Sequence, residues 1–168
     1  MSSVRLFFIQ LLFSILPPTR AWGIKRLLLR CAGGKIGKDV RVVSSARVYL
    51  TGDLAIGDNT WIGHEVLVVG GDAPIHIGSR VDIAPRVMLV TGAHYIDLSS
   101  DRAAGMGYSS PIIVEDGVWI GASSTILGGV TVGRCSIVAA GALVNSDVPE
   151  FSLVAGVPAR VIRRLDGL

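Results

Sequence analysis

An all-β solenoid, a parallel β-helix wound in six-residue steps, is the fold that this 168-residue sequence predicts. Two observations carry it. Aliphatic residues recur at every sixth position in long registers: Ile36, Val42, Val48; Ile56, Ile62, Val68; Ile77, Ile83, Leu89; and Val114, Ile120, Ile126, Val132, Val138, Val144. The composition agrees, with half the residues hydrophobic, aromatics at 6 % and 21 glycines. Such a mixture suits many short strands joined by tight turns.

A period of six fits neither an α-helix nor a hairpin array. It fits coils of three short sides, each aliphatic residue pointing to the axis, stacked as parallel strands roughly 4.8 Å apart. Four positions after each aliphatic residue a small or β-branched one follows in most cases: Val40, Ala46, Thr60, Val66, Val81, Val87, Val118, Ser124, Val130, Ser136, Ala142 and Val148. The residue directly after the aliphatic one is often small, as at Gly37, Gly57, Gly63, Gly78, Ala84, Gly121, Gly133 and Ala139, and is expected to let the backbone bend at each corner.

Taken in order, residues 1–34 read as a helical leader. Val4 to Leu16 is nearly all apolar and closes at Pro17-Pro18. It is shorter than the roughly 20 residues that span a bilayer, and no small-x-small cleavage site follows it. A second helical stretch is expected from near Thr19, where Arg20, Lys25, Arg26 and Arg30 alternate with Trp22, Ile24, Leu27, Leu28 and Leu29. Two readings stand for residues 4–30: an amphipathic pair lying on an anionic membrane surface, peripheral to the inner membrane, or two helices packed on the body or on a neighbouring subunit.

Residues 35–150 form the solenoid. Its register breaks by two residues around Thr51–Asp53, by three near Gly70–Asp72, and widely after Leu89. Residues 95–111 then run without periodicity as an extruded loop holding Asp97, Asp101, Arg102, Met106 and Tyr108. So long a loop in so regular a fold predicts an active-site element. Residues 151–168 cap the C-terminal end. The formal charge of +3, gathered near the two ends, is too small to indicate nucleic acid. Cys31 and Cys135 have no C-x-x-C partner, which suggests neither zinc nor a disulfide and fits a reducing, cytoplasmic compartment; both are expected as buried small hydrophobes.

His94, in Thr91-Gly-Ala-His-Tyr, stands at the foot of the loop. A histidine beside a loop is often a structural hydrogen-bonder, yet neutral imidazole also suits a general base near pH 7. His76 lies 18 residues earlier, so the two are expected on adjacent rungs; there His76 either helps to keep His94 neutral or is a plain surface residue.

Val114-Glu-Asp-Gly-Val-Trp-Ile-Gly-Ala, Ile126-Leu-Gly-Gly-Val-Thr-Val-Gly, Ala139-Ala-Gly-Ala-Leu-Val and Val154-Ala-Gly-Val-Pro-Ala-Arg-Val-Ile resemble segments of the hexapeptide-repeat acyltransferase superfamily. The last two are similar to the closing segments of galactoside, maltose and exopolysaccharide O-acetyltransferases, and the helical leader looks most like members that modify exopolysaccharide or lipopolysaccharide. The resemblance covers about residues 36 to 164. It implies a left-handed coil, a sense that periodicity does not give. It also implies a homotrimer with active sites between subunits, acetyl-CoA as cosubstrate, no metal, and His94 as the catalytic base acting by direct transfer. Trp119 resembles a tryptophan at the acyl end of the cofactor groove, or is an aromatic at a trimer seam. Ala122 and Ala140 match positions whose backbone meets the pantetheine. Asn145-Ser146 replace a Thr-Lys pair, which weakens the case for a phosphate contact there. Arg160 and Arg163 match basic positions near the nucleotide, or are merely solvated. For the acceptor, Asp72 keeps the family's acid, or caps a turn, whereas His64 stands where galactoside acetyltransferases carry an amide.

The implied activity is O-acetylation of a sugar hydroxyl on a polysaccharide, lipopolysaccharide or lipid-linked precursor. Alternatives are N-acetylation of an amino sugar, a serine or antibiotic acceptor, and a non-catalytic β-helix assembly subunit. The γ-class carbonic anhydrases share the architecture but need three histidines converging on zinc. His64, His76 and His94, spaced by 12 and 18, do not match that pattern.

Overall fold

The structure is a computed structural model that describes residues 3–99 and 101–166; residues 1–2 of the leader, Ser100 of the loop and the last two residues of the C-terminal segment lie outside that description. Two helices, α1 (Ser3–Ile15) and α2 (Trp22–Cys31), precede short strands that begin at Lys35. The strands stack into three faces of a triangular prism. The first face holds Lys35–Ile36, Leu54–Ile56, Ile75–Ile77, Ile112–Val114 and Thr131–Val132. The second runs from Arg41–Val42 through Trp61–Ile62, Asp82–Ile83, Trp119–Ile120 and Ile137–Val138 to Ser152–Gly156, with Ala159–Arg164 folding back antiparallel on the last. The third holds Arg47–Leu50, Leu67–Gly70, Met88–Val90, Thr125–Leu127 and Leu143–Val144.

Within each face the aliphatic registers pair with one another, as Ile36 with Ile56, Ile56 with Ile77, Ile77 with Val114 and Val114 with Val132. Every residue of the six-step registers is buried, and so is the residue four positions later, except where the chain leaves the prism at Asp72 and Ala93. Each rung thus contributes two inward side chains per face, and their burial drives the winding. The inward hydroxyls are satisfied along the coil: Thr60 Oγ1 donates to the Gly78 carbonyl at 2.8 Å and Ser124 Oγ to the Gly121 carbonyl at 2.8 Å.

The corners correct one expectation. The backbone bends not at the residue after the aliphatic one but two positions further on. There Asp39, Asn59, Arg80, Gly117 and Cys135, at the corner between the first two faces, have φ between 52° and 70°. Glu65, Arg86, Ser123 and Gly141 do the same at the next corner. The small residue directly after the aliphatic one serves a different need, because the next coil passes too close for a side chain: a Cβ on Gly121 would lie 2.5 Å from Ala140 N. The same geometry overturns the expectation for cysteine. Cys135 occupies a left-handed corner position that projects outward, Cys31 ends α2, and both are exposed.

α2 starts at Trp22, three residues later than expected, after the turn at Pro17-Pro18. Lys25 organises that turn. Its side chain is buried, donates to the Pro17 and Pro18 carbonyls at 3.0 and 2.7 Å, and lies 4.7 Å over the Trp22 ring. Burial pushes its ammonium below the ordinary lysine value. Leu6, Ile9 and Phe13 of α1, with Leu29 of α2 and Ala32, join the core of the first coils and close the end of the prism. The leader therefore packs on the body through one face of α1.

Candidate active site

Three edges separate the three faces, and the interruptions all fall on one of them. Core positions Ile36, Ile56, Ile77, Val114 and Val132 are 20, 21, 37 and 18 residues apart, so the coils swell where the third face returns to the first. The largest insertion is not the plain loop expected for residues 95–111. It is an antiparallel hairpin of Gly92–Ile96 against Ala104–Ser109, leaving the prism just after the third face.

His94 lies in the first strand of the hairpin, directly opposite Gly107. Its Nδ1 is 2.9 Å from the Gly105 carbonyl oxygen. A carbonyl only accepts, so in the neutral ring Nδ1 carries the hydrogen and Nε2 keeps its lone pair. The neighbouring rings of Tyr95 and Tyr108 stack with centroids 4.5 Å apart. At the far end, Asp97 accepts from Ser99 Oγ at 2.6 Å and Ser99 N at 2.9 Å, and these bonds, the side-chain one first, hold its carboxyl below the ordinary value of 3.8.

A cleft of about 430 Å³ opens at the base of the hairpin, and Asp72, His94, Tyr108 and Ser109 line it. Asp72 reaches it through the three-residue insertion one coil earlier. Ser109 ties the two segments together by accepting a hydrogen bond from Ala73 N at 3.1 Å. Sequence reasoning did not find Ser109, nor the Gly105 carbonyl that orients His94; a backbone acceptor leaves no residue-type signature. Gly70 completes the joint, since a Cβ there would overlap Thr91 Oγ1.

The other expected residues divide between edges. Asn145 and Ser146 are exposed on the same edge as Asp72 and His94, in the last coil. His64, Ala122 and Ala140 occupy equivalent corner positions on the edge between the second and third faces, each two residues after an inward aliphatic. His64 lies 3.2 Å from Ser45 Oγ through Nδ1 and does not line the His94 cleft. In the last coil of that edge the backbone at Gly141 is accessible. Gly141 N donates to the Ala122 carbonyl at 2.8 Å, and a Cβ on Gly141 would meet nothing within 4 Å. Trp119 stands outward on the second face, 54 % exposed, between Asp82 and Ile137. Arg160 and Arg163 are exposed on the strand that extends this face, opposite Ala155 and Leu153.

His76 does not stack on His94. It lies on the first face, in register with Ala55 and Ile113, because counting 18 residues onward crosses into the insertion and leaves the prism. The three histidines thus occupy a corner, a face and the hairpin. Among the described residues no group of three or more His, Cys, Asp or Glu side chains is placed to hold a metal ion.

Comparison with known proteins agrees with this architecture. Residues 111–146 match the family described as bacterial transferase hexapeptide (six repeats). A hexapeptide-repeat-containing acetyltransferase of Vibrio cholerae, crystallised with acetyl coenzyme A, superposes with a TM-score of 0.79 at 32 % identity, covering 97 % of this chain and 86 % of that one. The galactoside O-acetyltransferase of Escherichia coli is 38 % identical over 114 residues, 68 % of this chain and 55 % of that protein. A 2,3,4,5-tetrahydropyridine-2,6-dicarboxylate N-acetyltransferase of Staphylococcus aureus is 57 % identical over 56 residues, 33 % of this chain and 23 % of that protein. The chain spans about half the length of the curated relatives it matches first. A left-handed parallel β-helix with these repeats and this likeness belongs to the hexapeptide-repeat acyltransferase superfamily.

Proposed function

We propose that this chain is an acetyl-CoA-dependent O-acetyltransferase that acts on a sugar hydroxyl and works as a homotrimer. One observation carries the reading: His94 keeps Nε2 free in a cleft that it shares with the Asp72 carboxylate. Asp72 orients one acceptor hydroxyl, and Nε2 takes the proton of the reacting one as its oxygen attacks the thioester carbonyl. The C–O bond forms, the C–S bond breaks, and CoA leaves as the thiol with the proton carried by His94. Backbone N–H groups stabilise the oxyanion.

The division of residues supports the trimer. The base lies on one edge, while Ala122, Ala140 and Trp119, read as the wall along which the acyl donor runs, lie on another edge and the adjoining face. A threefold assembly brings the first edge of one copy against the second edge of its neighbour. Ile96, Leu98 and Met106 of the hairpin, all more than three-quarters exposed, are then covered by that neighbour. His64 joins the acceptor pocket only from across the same seam.

The likeness to a galactoside O-acetyltransferase over 114 residues favours a hydroxyl acceptor, and the shorter likeness to an N-acetyltransferase supports an amine as the second reading. Thiol release from acetyl-CoA, followed with matched panels of sugars and amino sugars, separates them. Turnover is expected with hydroxyl acceptors. Turnover confined to amines would establish the second reading, and none with either would remove the proposal.

A further inference from the structure

The outer face of α1 raises a question that the acyl-transfer reading does not answer. The helix is apolar on two opposite faces, with Arg5 on one flank and Gln10 and Ser14 on the other. Leu6, Ile9 and Phe13 are buried in the core, but Val4, Phe7, Phe8, Leu11, Leu12 and Ile15 stay 42–76 % exposed. At 100° per residue, Val4, Phe8, Leu11 and Ile15 form one stripe opposite the buried one. A surface helix ordinarily turns a polar face to water opposite its buried one, and α1 does not. Here a groove of about 530 Å³, lined by Leu6, Phe7, Leu11, Val48 and Tyr49, runs beside it, and α2 adds exposed Ile24 and Leu27 at the same end. No helix among the described residues is long and apolar enough to cross a membrane.

The charge at this end favours one kind of cover for the stripe. Residues 1–52 hold nine of the sixteen Lys and Arg but one of the thirteen acids, a net of +8, so the remainder of the chain carries −5. Arg5, Arg20, Arg30, Lys35, Lys38 and Arg41 are exposed there. Two copies meeting through this end would set like charge against like. An anionic lipid surface offers apolar depth for the stripe and phosphates for the rim.

We infer that α1 lies in the headgroup region of an anionic membrane, its outer stripe among the acyl chains and the basic rim of the first coil on the lipid phosphates. The inference rests on the leader and first coil alone, so it survives or falls independently of the chemistry at His94.

Co-sedimentation with vesicles tests it. The full chain is mixed with phosphatidylcholine vesicles, with and without phosphatidylglycerol. The chain should pellet with the mixed vesicles, at least about tenfold more weakly with the neutral ones, and less as salt rises. Phe8→Ser combined with Leu11→Ser should cut binding to mixed vesicles by about tenfold or more, with thiol release on a free acceptor unchanged. Ile15→Ser, a milder change on the same stripe, serves if the double variant misfolds. Failure of the wild-type chain to bind mixed vesicles, or binding indifferent to these substitutions, overturns the inference. So does a fall in oligomer mass in the variants, which would make the stripe a contact between copies.

Discussion

Two edges of one prism, built on the same six-residue rule, have been built out differently. Between the second and third faces every corner closes in the same few residues, with Glu65, Arg86, Ser123 and Gly141 in left-handed conformation and coil lying tightly on coil. Between the third and first faces three coils carry extra residues, and the longest addition becomes the hairpin that holds His94. The core does not register the difference: Leu89, Ile112 and Val114, which flank the hairpin, are as buried as any residue in the molecule. A solenoid accepts insertions on an edge because each rung needs only its inward side chains and its ladder of hydrogen bonds. Residues can then be added at one edge without disturbing the fold, and in the proposed function the regular edge is the wall along which the acyl donor runs.

That contrast fails first if the irregular edge does no chemistry. His94→Ala should lower kcat by about 10²–10⁴ with the fold intact, the ordinary scale for loss of a general base; thiol release measures it, and near-wild-type turnover would strip the hairpin of its role. The next effect is on stability. Gly121→Ala on the regular edge forces a Cβ to 2.5 Å from Ala140 N and should cost about 1–3 kcal/mol. Gly92→Ala on the irregular edge has its nearest neighbour at 3.9 Å, the Gly70 Cα, and should stay within about 0.5 kcal/mol of wild type. Chemical denaturation compares the two, and equal costs would show that the hairpin strand at Gly92 is packed as closely as the corner at Gly121. The smallest effect is at the hairpin tip. Because the Asp97 carboxyl is held below its ordinary 3.8, the stabilisation from its Ser99 bonds is fully present above 3.8 and is lost as pH falls through the lowered folded value. Protection of the Ser99 amide should therefore be flat from neutrality to that point and fall below it, while Ser99→Ala should move the carboxyl titration up towards the ordinary value, as read by NMR of the carboxyl carbon.

Much of the fold could be read in advance because the period-six pattern is the winding itself. All the aliphatic registers and the position and size of the two small insertions were legible from spacing. The hairpin was not. Gly92 to Ile96 is exposed on both sides, so it has no apolar alternation to announce a strand. His94 stood out by its place at the break, yet its tautomer depends on the carbonyl of Gly105, which any residue would supply. His76 and Cys135 misled for different reasons: counting along the chain gives a rung only while the chain remains on the prism, and a corner residue in left-handed conformation turns out to solvent whatever its hydrophobicity.

The central claim, that one site is shared by the broken edge of one copy and the smooth edge of the next, has a direct test. His94→Ala and Ala140→Trp are each made, each shown to be inactive, and then unfolded and reassembled together. If the site spans two chains, random mixing restores intact pairings at roughly a quarter of the seams, and thiol release returns to that fraction of the wild-type rate. If reassembled mixtures of correct mass remain as inactive as their parents, base and donor wall belong to the same chain and the two-edge account is wrong.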